Sequence, residues 1–147
     1  MTETDEEALA LVRELNDRAM RAWDAADWEA YRGLHTEDLV VVDHRPASLG
    51  SIQGRETYLD ATRVMREMFV AANTGIVEQH RLFAHGSVAQ TSITCVSDTG
   101  LEVAVETVTL NTIRDGRMDR IEFFPVEQLE EALARFDDLG RGADERA

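Results

Sequence analysis

The chain reads as one α+β domain, on three observations. Helical periodicity fills most of its first half, and Val- and Thr-rich strand patterns fill its second half from Ile76 onward. Helices and strands are segregated rather than alternating, which excludes a doubly wound parallel sheet. At 147 residues, 44% apolar and 30% charged, the chain is long enough for one sizeable core and too short for two.

The elements follow in order. Leu9, Val12, Leu15, Ala19 and Trp23 recur every three or four residues, predicting a helix from about Glu6 to Asp24. Asp27 suits the N-cap of a short second helix carrying Trp28, Tyr31 and Leu34. Leu39–Asp43 is a buried strand, and Pro46 to Gly54 reads as a loop. Tyr58, Thr62, Met65, Phe69 and Ala72 predict a third helix over about Arg55–Ala72, stopped by Asn73-Thr74-Gly75. Strands are then expected over Ile76–Ala84, Val88–Ser97, Leu101–Arg114 and Arg117–Phe124, the last two joined by an Asp115-Gly116 hairpin. Pro125 closes the sheet. A final helix spans Val126 to Leu139 and ends at Gly140. The domain is thus expected over residues 5–139, with flexible tails at 1–4 and 140–147.

Composition excludes several functions. A net charge of −14 leaves no basic footprint for nucleic acid. All 15 basic residues are Arg, as a GC-rich coding genome favours. Without Lys there is no side-chain Schiff base, no pyridoxal phosphate anchor and no P-loop lysine. Cys95 is the sole cysteine, placed in a strand-like run where a buried inert thiol is expected. The four His show no metal-ligand spacing, so neither metal nor cofactor is expected. No apolar run suits a membrane span, and the acidic Met1–Glu7 is unlike a secretory signal, so the expected compartment is the cytoplasm.

Three local features carry a family resemblance. Trp23-Asp24-Ala25-Ala26-Asp27-Trp28 forms a small-residue turn plus acid between two helices. Asp38 through Asp43 fits a first strand of the form D-x-x-x-x-D. Arg114-Asp115-Gly116-Arg117-Met118 followed by Ile121-Glu122-Phe123-Phe124 fits a final hairpin. Their order resembles the nuclear-transport-factor-2-like superfamily, and within it the SnoaL-like domains. The resemblance implies a cone: a curved antiparallel β-sheet wrapped around N-terminal helices, with a C-terminal helix and an apolar pocket at the open end. It also implies a homodimer through the sheet. Activity is not implied, because the fold hosts cyclases, isomerases, hydrolases and binders.

Within that resemblance Asp43 falls where the steroid-isomerase branch has its catalytic base. A strand-ending turn acid is the alternative. Arg45 is two residues on and shares a strand face with Asp43. Its guanidinium would favour the carboxylate, making Asp43 a poorer proton acceptor and the pair a candidate water-orienting or anion-binding group. His44 should face the other way. The oxyanion donors of that branch are absent: Ala19 stands at the first-helix position, and the strand position falls near Thr109, with Thr107 and Asn111 on the same side. Glu106 is read as outward or as a pocket acid, and Arg120 with Glu122 as an exposed pair. Trp28, Tyr58, Met65 and Phe69 are expected on the pocket wall beside Tyr31, a candidate hydrogen-bond donor. Two functions therefore stand open. One is a cofactor-free acid–base enzyme acting on a small apolar molecule through Asp43, Arg45 and Tyr31. The other is a non-catalytic ligand-binding and dimerisation module.

Overall fold

A computed structural model describes residues 3–46 and 50–146. Its helices are α1 (Glu3–Asp24), α2 (Trp28–Gly33), α3 (Arg55–Glu67) and α4 (Leu129–Arg146). Its strands are β1 (His35–Asp43), β2 (Ser51–Gln53), β3 (Ala71–Phe83), β4 (Gly86–Val96), β5 (Glu102–Arg114) and β6 (Arg117–Phe124). They form one curved six-stranded sheet in the order β2-β1-β6-β5-β4-β3. Neighbours are antiparallel except β1 and β6, which run parallel. Among the described residues no helix is long and apolar enough to cross a membrane.

Local chemistry sets the turns. The Asp27 carboxylate accepts the Ala30 amide at 3.2 Å and caps α2. Asp115 and Gly116 both take positive φ, 53° and 77°, the geometry a two-residue hairpin needs to match strand twist. Gly54 enters α3 at φ 97°, which a side chain would resist.

Four expectations need correction. The stretch expected as a continuous loop contains the edge strand β2, paired with Val40–Val42; residues 47–49 of that stretch lie outside the described residues. The third helix ends at Glu67, not Ala72, because β3 claims Ala71 onward by pairing with Val96 and Cys95. Phe69 and Ala72 still pack on the core, so an apolar pattern continued past the helix itself. The tails are not both irregular: α1 begins at Glu3 and α4 continues to Arg146, while residues 1, 2 and 147 lie outside the description. Gly140 does not stop α4. A Cβ there would sit 2.8 Å from the His85 ring, so glycine permits a close helix–sheet approach.

The sheet has two covered faces. On the concave face α1, α2 and α3 enclose a core that includes Leu15, Trp23, Tyr31, Leu39, Val41 and Ile121. On the convex face α4 lays Ala132 and Phe136 against Val88, Val108, Leu110 and Phe124. Strand alternation divides neighbouring residues between the two faces.

One buried cation ties the concave layer together. Arg66 of α3 donates from Nε to the Trp23 carbonyl at 3.1 Å, from Nη1 to the Phe69 carbonyl at 3.1 Å, and from Nη2 to the Asp24 carbonyl. Its guanidinium also lies 5.7 Å from the centre of a Trp23 ring. A cation at the C-terminal carbonyls of α1 meets the negative end of that helix.

Candidate functional site

Between the helices and the concave sheet lies a cavity of about 370 Å³. Its wall is chiefly apolar, and Met20, Met65, Met68 and Met118 line it with flexible side chains that adapt to an occupant's shape. Met68, Ile76, Val103 and Val105 line it while remaining exposed, and so form its rim. Tyr31, Tyr58 and Asn111 line its buried part.

Arg45 is the one charged side chain on this wall among the described residues. The end of β1 and the turn after it deliver it there. Asp43, whose side chain is 0% exposed, receives Arg45 Nε at 2.9 Å on one oxygen and Arg45 Nη2 at 2.8 Å on the other. The Arg45 amide also donates to Asp43 at 3.1 Å. The guanidinium lies 4.8 Å from the centre of the Phe123 ring. A bidentate carboxylate on one side and a ring beneath hold it rigidly.

Asp43 and Arg45 thus form the pair that their spacing predicts. The Asp43 carboxylate grips Arg45 and is not part of the cavity wall. No Asp, Glu or His lines the cavity among the described residues; the ionisable side chains on its wall are Arg45, Tyr31, Tyr58 and Cys95.

The tyrosines form the second polar feature. Tyr31 from α2 and Tyr58 from α3 bring their hydroxyls to 3.0 Å. Trp23 Nε1 donates to Thr62 Oγ1 at 2.9 Å, which leaves the Thr62 hydroxyl to hydrogen-bond Tyr58. Where Tyr31 donates in this pair, Tyr58 keeps its own proton to give away. Burial, reinforced by the neighbouring phenol, pushes the Tyr31 hydroxyl well above its usual range. Burial also raises Tyr58, against the hydrogen bonds from Tyr31 and Thr62 and the charge of Arg45. Both phenols are therefore neutral donors at neutral pH.

The other expected wall residues divide. Met65 and Phe69 line the cavity. Trp28 does not: it meets Tyr31 edge-on at 5.9 Å and supports that ring from behind. Thr107, Thr109 and Asn111 all line the cavity from β5. Thr107 spends its hydroxyl on the Phe124 carbonyl at 2.8 Å, and Thr109 pairs with Thr91 at 2.9 Å. Asn111 belongs to a ring of polar side chains with Asn16 and Ser87, residues so distant in sequence that no local pattern marks them. Cys95 is a buried wall residue whose thiol burial pushes up, as an inert sulfur requires.

His44 faces the convex side. It stacks on Phe124 at 4.3 Å and lies 2.8 Å from Glu122. Glu122 is 1% exposed and not part of a surface pair, because α4 covers it and brings Arg135 to 3.1 Å while Arg120 donates at 3.0 Å. Burial alone would raise its carboxyl; the His44 hydrogen bond and the two guanidinium groups outweigh that and hold it below the usual range. Glu106 points outward, with Gln90 at 3.3 Å.

His35 sits beneath Tyr31, ring centres 4.6 Å apart, and is fully buried. The Tyr31 carbonyl lies 2.7 Å from its Nδ1; a carbonyl only accepts, so Nδ1 carries the proton. Burial, helped by the charge of Arg55, lowers its pKa to about 4, so the ring is neutral. The folded value lies below the unfolded one, so the unfolded chain takes up a proton first as pH falls. Stability should therefore decline by about 3 kcal/mol from pH ~6.5 down to pH ~4 through this group, then level off. Denaturant unfolding of wild type and His35→Asn across this range checks it. The variant should lack that part of the slope, and parallel slopes would contradict the assignment.

Comparison with known proteins gives the fold without an activity. A profile of the SnoaL-like domain family matches residues 16–121. No protein of curated function matches the sequence. Among solved structures, a protein described as an isomerase from Bacillus subtilis has a TM-score of 0.69 at 17% identity, covering 86% of this chain and 95% of its own. One described as a SnoaL-like polyketide cyclase from Jannaschia has a TM-score of 0.67 at 19% identity, covering 84% and 88%. A Mycobacterium tuberculosis protein in complex with estradiol-17beta-hemisuccinate has a TM-score of 0.67 at 13% identity, covering 78% and 92%.

Proposed function

The chain belongs to the SnoaL-like domain family, and from that premise we propose that its cavity binds a small, mostly apolar molecule through one anionic oxygen. The observation that carries this reading is Arg45: a rigidly clamped guanidinium, alone in charge on an apolar wall among the described residues. An acid entering the cavity exchanges water for Arg45 and the Tyr58 hydroxyl, while its body replaces water along the Met and aromatic wall. A neutral molecule of equal size would offer only an uncharged acceptor to the guanidinium hydrogens that Asp43 does not use. The Mycobacterium tuberculosis neighbour holds a molecule of comparable character, an apolar ring system ending in a hemisuccinate. At 13% identity that is a parallel in fold rather than in residues.

Binding is favoured over acid–base catalysis because the described wall has no carboxylate or imidazole to move a proton. A second reading rests on Tyr58. With Tyr31 donating to its oxygen it keeps its proton to give, and with Arg45 it would stabilise an enolate or other oxyanion in a reacting ligand.

A thermal-shift comparison of matched acids and amides tests the first reading. 2-Naphthylacetate should stabilise the protein in a concentration-dependent way, and its neutral amide should do so far more weakly. Equal shifts from both would remove Arg45 from recognition.

A further inference from the structure

The cavity has a second polar pole. Asn16 of α1, Ser87 of β4 and Asn111 of β5 all line it and close a hydrogen-bonded ring. Asn16 Nδ2 donates to Ser87 Oγ at 3.1 Å, Ser87 Oγ donates to Asn111 Oδ1 at 3.0 Å, and Asn111 Nδ2 donates to Asn16 Oδ1 at 2.7 Å. The Ser87 amide also donates to Asn111 Oδ1 at 3.1 Å. Ser87 and Asn111 are 2% and 4% exposed, so the pole is buried at the cavity wall rather than at its rim.

The ring does not use up its hydrogen-bonding capacity. Each amide nitrogen has two hydrogens, and each commits one within the ring. Asn16 Oδ1 accepts once and retains a lone pair. Ser87 Oγ likewise accepts once, so the pole can both give and take hydrogen bonds, and it carries no charge. Left dry against an apolar occupant, these groups would be desolvated without return.

The spacing of the two poles follows from α1. Trp23 holds the Thr62–Tyr58 end, and Asn16 lies seven residues earlier on the same helix. At about 1.5 Å per residue the two anchors stand about 10 Å apart along the axis. Ala19 and Met20 line the cavity between them, so the space joining the poles is apolar.

We propose that the ligand is bipolar: an anionic oxygen at Arg45 and Tyr58, an apolar middle, and a neutral hydroxyl or carbonyl at Asn16, Ser87 and Asn111. This rests on the acid-binding reading and extends it to a ligand class, rigid or extended hydroxy- or oxo-acids with their polar groups at opposite ends. The wall at the second pole is uncharged among the described residues, so a diacid would leave its second carboxylate unpaired there.

Calorimetric titration with 2-naphthylacetate and 6-hydroxy-2-naphthylacetate tests it, because the second probe adds a hydroxyl at the far end of the same acid. The hydroxy acid should bind wild type about tenfold more tightly than the plain acid, and Asn16→Leu should erase that advantage. Ser87→Ala, which opens the ring from the sheet side, should shrink the advantage and covers the case in which Asn16→Leu fails to fold. Equal affinity of the two acids for wild type would overturn the second pole yet leave the acid reading intact. An advantage that survives both substitutions would do the same. Failure of both acids to bind would remove the acid reading and the inference with it.

Discussion

Arg66→Ala should cost about 4 kcal/mol of folding stability, the largest loss expected from a single substitution on the concave side. The guanidinium serves three backbone carbonyls: Trp23, which also accepts the Ala26 amide at 3.1 Å, and Asp24, both at the end of α1, and Phe69 just past α3. Removing it takes a charged donor from all three carbonyls, uncovers the Trp23 ring and removes the cation from the helix terminus. Three elements then lose their common tie where β3 begins. A fall in melting temperature of about 10 °C is the corresponding observable for a chain of this size. Arg66→Lys should recover only part of the loss, since an ammonium lacks the planar fork that reaches all three carbonyls. A variant as stable as wild type would show that water replaces the guanidinium there.

The double variant Asp43→Asn/Arg45→Gln should fold and lose about a hundredfold in affinity for 2-naphthylacetate, about 2.7 kcal/mol. Changing both residues matters. Arg45 alone cannot be removed cleanly, because it would leave the Asp43 carboxylate buried without the partner that occupies both its oxygens. Two amides can retain a neutral hydrogen bond between them, so the change removes both charges together without leaving a buried carboxylate unpaired. The neutral amide probe should bind the double variant about as it binds wild type. Loss of both affinities together would mean that the pair shapes the cavity instead of recognising the acid.

Much of this arrangement was legible in the sequence, and the parts that were not share a cause. Local rules reached the Asp27 cap, the Asp115-Gly116 hairpin and the bounds of β6, because each is decided within four residues. Strand alternation placed Asp43 and Arg45 together and His44 on the other face. Alternation could not say that both Asp43 oxygens would bond Arg45, which depends on side-chain packing at the strand end. Nor could it say what covers the outer face. Glu122 looked exposed because nothing near it announces that α4 will fold over it with Arg135. At Phe69–Ala72 the apolar spacing fits a helix, but the pairing of Ala71 and Ala72 with β4 overrides it. The ring of Asn16, Ser87 and Asn111 joins side chains separated by 71, 24 and 95 positions, a constellation only the tertiary fold creates.

The central claim is that one clamped guanidinium reads an anionic oxygen inside an apolar cavity. A crystal structure of the protein with 2-naphthylacetate tests it most directly. The account predicts the carboxylate within hydrogen-bonding distance of Arg45 and the Tyr58 hydroxyl, with the naphthyl group among Met65, Phe69 and Phe123. A probe bound with its carboxylate in solvent and its ring toward Arg45, or bound outside the cavity, would contradict it.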